Sequence, residues 1–269
     1  MIEKHDPGSF CWVELGTVDV KGAETFYGEL FGWTFEDNCP GGECNYSTIR
    51  LEGLSLAGCY TLCEAHRAQG VPPHWMGYVA VEDVAGTAAR AGEAGGQVLA
   101  GPMDVMDMGK MAVIRDPQGA VLSLWQPVKH GGSKVRDVPG AFCWNELIVK
   151  DPEAVLAFYK AVAGWDVVKQ DMGGFTYYVF VSDDTMRGGM MALDPAWGEV
   201  PPHWAVYFNV TDCDAVVAKA ESLGAKVHMR PTDIPGVGRF AVIADPQGAV
   251  FSVIKMEPPQ CCGCDGCCS

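Results

Sequence analysis

Residues 10–17, Phe-Cys-Trp-Val-Glu-Leu-Gly-Thr, alternate in character and are rich in aromatic and branched side chains, which predicts a strand. Asp19 then opens a helical stretch over 21–31, where Ala23, Phe26, Tyr27, Leu30 and Phe31 recur at helical spacing, and Gly32 closes it. Three short strands follow at 33–36, 45–51 and 54–60, separated by glycine-rich turns, so the unit reads βαβββ. A polar connection over 61–73 ends in Val71-Pro-Pro, and the pattern restarts. The restart has a strand over 74–81, a helix over 84–94 opened by Asp83 and stopped by Gly95-Gly96, and strands at 97–101, 110–114 and 121–126. Asp116-Pro-Gln-Gly119 supplies the turn before the last of these.

The whole pattern then repeats. Gly8, Phe10, Cys11, Trp12, Glu14, Leu15, Asp19, Phe26, Tyr27, Gly32 and Trp33 each find an identical residue 132 positions later. Beyond a three-residue deletion the offset is 129: Pro72-Pro-His-Trp75 matches Pro201-Pro-His-Trp204, and Asp116-Pro-Gln-Gly-Ala-Val121 matches Asp245-Pro-Gln-Gly-Ala-Val250. Such self-similarity predicts a tandem duplication. The first domain is expected over 1–129, a linker over 130–139 and the second domain over 140–257. A Cys-rich tail occupies 258–269, and each half is long enough to bury its own core.

Composition narrows the function. With 48% hydrophobic and 20% charged residues the chain reads as globular. A formal net charge of −15 argues against nucleic acid and anionic membranes as partners. The start lacks an apolar run of signal-peptide length and no stretch approaches a membrane span, so a cytoplasmic monomer or homodimer is expected. The chain has twelve cysteines, five of them in the last nine residues, and reduced thiols are the expectation. Cys11 and Cys143 are expected as small hydrophobes within strands, Cys11 facing the helix together with Val13 and Leu15.

Four βαβββ units, Asp-x6-Phe-Tyr after each domain's first strand, a Gly-Trp helix exit and Asp-Pro-x-Gly before each last strand resemble the vicinal oxygen chelate superfamily of glyoxalases, bleomycin-resistance proteins and extradiol dioxygenases. The likeness spans residues 8 to 256. Trp-x-Glu-Leu, Pro-Pro-x-Trp and the segment from Asp104 to Val113 resemble one tandem branch. That branch contains actinobacterial proteins described as hydroxylases and a mycobacterial culture-filtrate antigen. The resemblance implies an α+β fold of two tandem domains, each pairing two βαβββ units into a cupped mixed sheet with the ligand inside.

In metal-dependent members, His or Glu opens the first strand of each unit and Glu lies on the last strand. The matching positions here are Trp12, Met76 and Ser123 in the first domain and Trp144, Ala205 and Ser252 in the second. None is a His or carboxylate, and Trp and Ala cannot ligate at all. No divalent metal is therefore expected in the cups, unless His74 or His203 ligates in a register shifted by two.

Strand alternation puts Glu14 on the face of Trp12, and Glu146 on that of Trp144. A carboxyl in an aromatic cavity suits a general acid or base, or a group that binds a cationic ligand. A structural glutamate bonded within the fold is the competing reading. His74 and His203 sit beside Trp75 and Trp204 as rim or ligand-contact residues. Lys110 and Arg239, at equivalent positions after a glycine, are candidates to anchor an anionic substrate, with solvated strand ends as the alternative. In the tail, Cys261, Cys262, Cys264, Cys267 and Cys268 suit a soft metal such as copper or zinc. The expectation is a metal-independent glyoxalase-like protein binding a small organic molecule, with hydroxylase or lyase turnover implied only by the resemblance. The alternatives are a non-catalytic sequestering module and a soft-metal or thiol-stress protein acting through the tail.

Overall fold

The computed structural model describes residues 1–38 and 46–257. In the first domain β1 (Phe10–Thr17), α1 (Val20–Phe31), β2 (Thr34–Asp37), β3 (Tyr46–Leu51) and β4 (Leu54–Thr61) form one βαβββ unit. A five-residue helix, α2 (Glu64–Ala68), lies in the connection where no element was predicted. The second unit is β5 (His74–Ala80), α3 (Val84–Glu93), β6 (Gln97–Val105), β7 (Gly109–Arg115) and β8 (Val121–Pro127). The second domain repeats this with β9 (Phe142–Val149), α4 (Leu156–Ala163), β10 (Asp166–Asp171), β11 (Thr176–Ser182) and β12 (Thr185–Ala192). It closes with β13 (His203–Asn209), α5 (Cys213–Ser222), β14 (Lys226–Ile234), β15 (Gly238–Ala244) and β16 (Val250–Met256). Among the described residues no helix is long and apolar enough to cross a membrane.

Each domain is one eight-stranded mixed sheet, ordered β2-β3-β4-β1-β5-β8-β7-β6 and β10-β11-β12-β9-β13-β16-β15-β14. The units join where β1 pairs antiparallel with β5 and β9 with β13, while β1 runs parallel to β4 and β5 to β8. Helix starts follow from chemistry: Asp19, Asp83 and Asp212 accept hydrogen bonds from first-turn amides. Gly32 and Gly164 close α1 and α4 in the left-handed conformation.

The cores cross the domain boundary. One joins Val13, Leu15, Phe26, Tyr27 and Trp33 to Phe208, Val217, Ile243 and Phe251. The other joins Val79, Ala88, Ile114 and Leu122 to Phe158, Tyr159, Trp165 and Trp204. The first βαβββ unit thus packs on the fourth, and the second on the third. Each half was expected to bury its own core; instead the helix-bearing faces of the two sheets are buried against each other.

The repeated motifs converge at this seam. Trp75 Nε1 donates to Tyr27 Oη at 3.0 Å, which donates to Asp245 Oδ2 of the other domain at 3.0 Å. Trp204, Tyr159 and Asp116 repeat the chain at 3.1 and 2.9 Å. Asp116 and Asp245 also hold their own Pro-Gln-Gly turns through Oδ1. Trp33 Nε1 donates to Gly140 O and Trp165 Nε1 to Gly8 O, both at 2.8 Å. Gly8 and Gly140 have φ of 79° and 81°, and a Cβ on Gly8 would lie 2.9 Å from Ala163 O, so a side chain there is excluded twice over.

The connection between the sheets is packed against the first domain. Ser133 N donates to Cys11 O, Lys134 N to Ser55 O, and His5 bonds Ser133 O. Ser133 is buried.

Candidate active site: a carboxyl and two tyrosines in each cup

Along β1, Val13 and Leu15 enter the shared core, whereas Trp12 and Glu14 lie on the opposite, cup face. Cys11 departs from the expected alternation: it joins Trp12 in the cup cluster rather than facing a helix. The cause is a β-bulge, because Phe10 pairs with Val79 and Trp12 with Tyr78, leaving Cys11 as the extra residue. Cys143 repeats the bulge between Phe142 and Trp144. Burial pushes the Cys11 thiol up to about 12 and that of Cys143 higher still, so neither is a nucleophile near neutral pH.

Glu14 and Glu146 are buried at 9% and 7% exposure, and each is held by two phenols. Tyr78 Oη donates to Glu14 Oε2 at 2.5 Å, and Tyr46 bonds the same carboxyl. Tyr207 Oη donates to Glu146 Oε2 at 2.7 Å, with Tyr177 as the second phenol. Trp144 Nε1 donates to Tyr177 Oη at 3.0 Å and fixes that ring. Gly58 and Gly189, opposite Glu14 and Glu146 in register, leave room for these phenols. A Cβ on Gly58 would stand 2.7 Å from Glu14 Oε1, and one on Gly189 would strike the Tyr177 hydroxyl.

Burial raises both carboxyls above the ordinary glutamate value, against the opposing pull of the tyrosine hydroxyls. The phenols are themselves driven up, first by burial and then by the adjacent carboxyl. Among the described residues no Lys, Arg or His forms an ion pair with either glutamate; the ion pairs involve other carboxylates. Each cup therefore presents one buried carboxyl, bonded by two phenols, in an aromatic setting.

Met76 lies against Trp12, and Ser123 is opposite Tyr78 in register, its buried Oγ without a partner. Ser252 is opposite Tyr207 and bonds it. The metal-ligand positions implied by the resemblance thus converge on the cup face as Trp12, Met76 and Ser123, and as Trp144, Ala205 and Ser252. Indole, thioether, methyl and hydroxyl groups do not make a divalent-metal site. Among the described residues no group of three His, Cys, Asp or Glu side chains could hold one.

His74 and His203 stand at the rim, each with Nδ1 bonded to a proline carbonyl two residues back, at 2.8 and 2.9 Å. That bond assigns the proton to Nδ1 and leaves Nε2 as an acceptor. Burial lowers both imidazoles, and Tyr60 Oη lies 3.5 Å from His74 Nε2.

Lys110 and Arg239 do not reach the cups. Each shares strand parity with residues buried under a helix, Ala112 and Ile114 for Lys110 and Ala241 and Ile243 for Arg239. Lys110 pairs with Asp104 at 3.3 Å, and Arg239 with Asp214 and Asp233 at 2.6 and 2.9 Å, all at the surface. The five tail cysteines lie outside the described residues.

Tyr46, Tyr78, Tyr177 and Tyr207 were missed from sequence, although the repeat carries them: Tyr78 and Tyr207 are 129 apart, Tyr46 and Tyr177 are 131 apart. His130 was missed too. Its ring meets Trp12 edge-on at 4.6 Å and Trp125 at 5.7 Å, while Trp125 Nε1 donates to His130 O. Two open surface clefts, one beside α4 and one along 193–202, lie away from both cups.

The fold and the twice-repeated site define a class. The model of the Glyoxalase/Bleomycin resistance protein/Dioxygenase superfamily matches residues 9–124 and again 134–253, and the chain belongs to that superfamily. More particularly, it is 43% identical over 259 residues to "Putative glyoxylase CFP32" of Mycobacterium tuberculosis, covering 96% of this chain and 98% of that one. It is 36% identical over 270 residues to the anthracycline biosynthesis protein DauV of Streptomyces sp. strain C5, covering 97% and 98%. Among solved structures it resembles the Mn(II)-bound glyoxalase of Novosphingobium aromaticivorans, with a TM-score of 0.63, 16% identity and coverage of 94% and 84%. The 2,3-dioxygenase LapB of Pseudomonas sp. KL28 gives 0.61, 11%, and 93% and 92%. These two likenesses speak for the fold alone.

Proposed function

We propose that the protein binds a small organic molecule in its cups and does so without a divalent metal. The observation that carries this reading is the donor set. Where metal-dependent relatives are expected to place His and Glu, this chain has Trp12, Met76 and Ser123, and Trp144, Ala205 and Ser252. The carboxyls that are present, Glu14 and Glu146, are each engaged by two phenols. An acid whose ionisation is opposed by burial and aided by phenols can hold or exchange one proton with a bound ligand, which is compatible with binding alone or with turnover. The relative named for anthracycline biosynthesis favours a small organic ligand over a macromolecule.

Elemental analysis of residues 1–257 tests the metal-free part, since truncation removes the cysteines of the tail, for which we propose separate binding of copper or zinc. No stoichiometric Mn, Fe, Ni or Zn is expected in the truncated protein. About one such ion per domain would overturn the reading.

A further inference from the structure

We infer that the cup of the second domain receives an organic cation, an alkylated ammonium group, caged by Trp144, Tyr177, Tyr207 and Phe240 with Glu146 as its counter-ion. The inference rests on the small-molecule reading above and names its ligand class. Glu146 is 7% exposed, yet its side-chain partners are neutral phenols. A carboxylate so enclosed pays heavily for lost hydration unless a charge of opposite sign joins it. The chain supplies none among the described residues, and the walls lack the lone pairs that a small, hard metal ion demands. An alkylammonium needs no such donors. It is attracted to ring faces and to a nearby carboxylate at once.

The rings are held for that purpose. Trp144 and Tyr177 are joined by the indole hydrogen bond, and Tyr207 lies 6.4 Å from Phe240 with 33° between the planes. Trp144 is partly exposed where its counterpart Trp12 is buried, so the second cup is the more accessible at its tryptophan. The first cup has the same carboxyl, but its tryptophan is covered. Trp12 is 4% exposed, with His130 edge-on to its indole. Met76 and Trp125 stand where the second cup has the smaller Ala205 and Ile254.

Titration of the full-length chain with choline and with its neutral isostere 3,3-dimethylbutan-1-ol tests the inference. Choline should bind at least about tenfold more tightly, the usual scale of a desolvated cation–π contact with a counter-ion. Glu146→Gln should bring the two within about twofold, Glu146→Asp should keep part of the preference, and Trp144→Ala should weaken choline by about tenfold. Unfolding midpoints verify that each variant is folded. Choline should also lower the pH at which the Glu146 carboxyl titrates, because the cation favours the ionised form that burial opposes. Equal affinity for the alcohol, or an undiminished preference in Glu146→Gln, overturns the inference. If neither compound binds but a neutral aromatic such as 1-hydroxyanthraquinone does, the cation inference fails and the small-molecule reading stands. If nothing binds, both fall.

Discussion

The two cups share a floor and differ in their walls. Both keep Trp-x-Glu on the first strand, a tyrosine on the neighbouring antiparallel strand and another two strands away. In the first, His130 from the segment that joins the sheets closes on Trp12 and Trp125. In the second, Trp125 becomes Ile254, Met76 becomes Ala205 and Met111 becomes Phe240, and Trp144 stays partly open. Duplication has thus preserved the costly element, a buried acid with its two phenols, while changing the inexpensive one. That pattern leaves the tryptophan of one cup covered by its own chain and that of the other partly open.

The comparison has most to lose if the halves are independent, because their divergence would then need no common frame. Residues 1–129 and 140–257 made separately should fail to unfold cooperatively, and mixing them should restore a cooperative transition. Each half alone exposes the apolar face it buries against the other. Calorimetry of each half and of the mixture checks this. Within the intact chain, Trp165→Ala should cost about 3–5 kcal/mol in urea unfolding, because the indole is fully buried and bonds Gly8 O across the seam. Tyr159→Phe should cost about 1–3 kcal/mol by leaving Asp116 Oδ2 short of a donor while its turn-holding Oδ1 stays bonded.

Smaller effects separate the cups themselves. His130→Ala should cost only about 1 kcal/mol, the scale of an aromatic pair. It should also bring the Trp12 fluorescence within reach of acrylamide and leave Trp144 as it was. Quenching of Trp12 in the wild type to the same degree as Trp144 would erase the asymmetry. For pH, the raised carboxyls fix the sign. A glutamate whose folded pKa exceeds its unfolded value of about 4.5 contributes stability below that value and loses it as pH rises through the folded pKa. Wild-type stability relative to Glu146→Gln should therefore fall as pH increases from about 4.5, and a relative gain would contradict the burial argument.

Much of this was legible in the chain. Period-2 alternation placed Trp12 with Glu14, the repeat located both copies, and Asp19 and Asp83 marked two helix starts. The failures have a common cause: local periodicity carries no information about which sheet a face meets. Lys110 and Arg239 do not anchor a ligand in the cups, because their parity is that of Ala112 and Ala241 under a helix; their surface ion pairs fit the alternative of solvated strand-end charges. Phe-Tyr, Pro-Pro-His-Trp and Asp-Pro-Gln-Gly are far apart in sequence, so nothing local reveals that they form one hydrogen-bonded chain across the seam. The bulge at Cys11 is equally silent, because it is defined by the partner strand.

The central claim is that a buried carboxyl with two phenols, and no divalent metal, forms the floor of each cup. Carbon-13 NMR of the glutamate carboxyls in residues 1–257, assigned through Glu14→Gln and Glu146→Gln and followed as Mn(II) is added to one equivalent per domain, tests it most directly. The account predicts that both signals titrate above the ordinary glutamate range and stay sharp in the presence of Mn(II). Signals that titrate normally and are broadened away at one equivalent would contradict it.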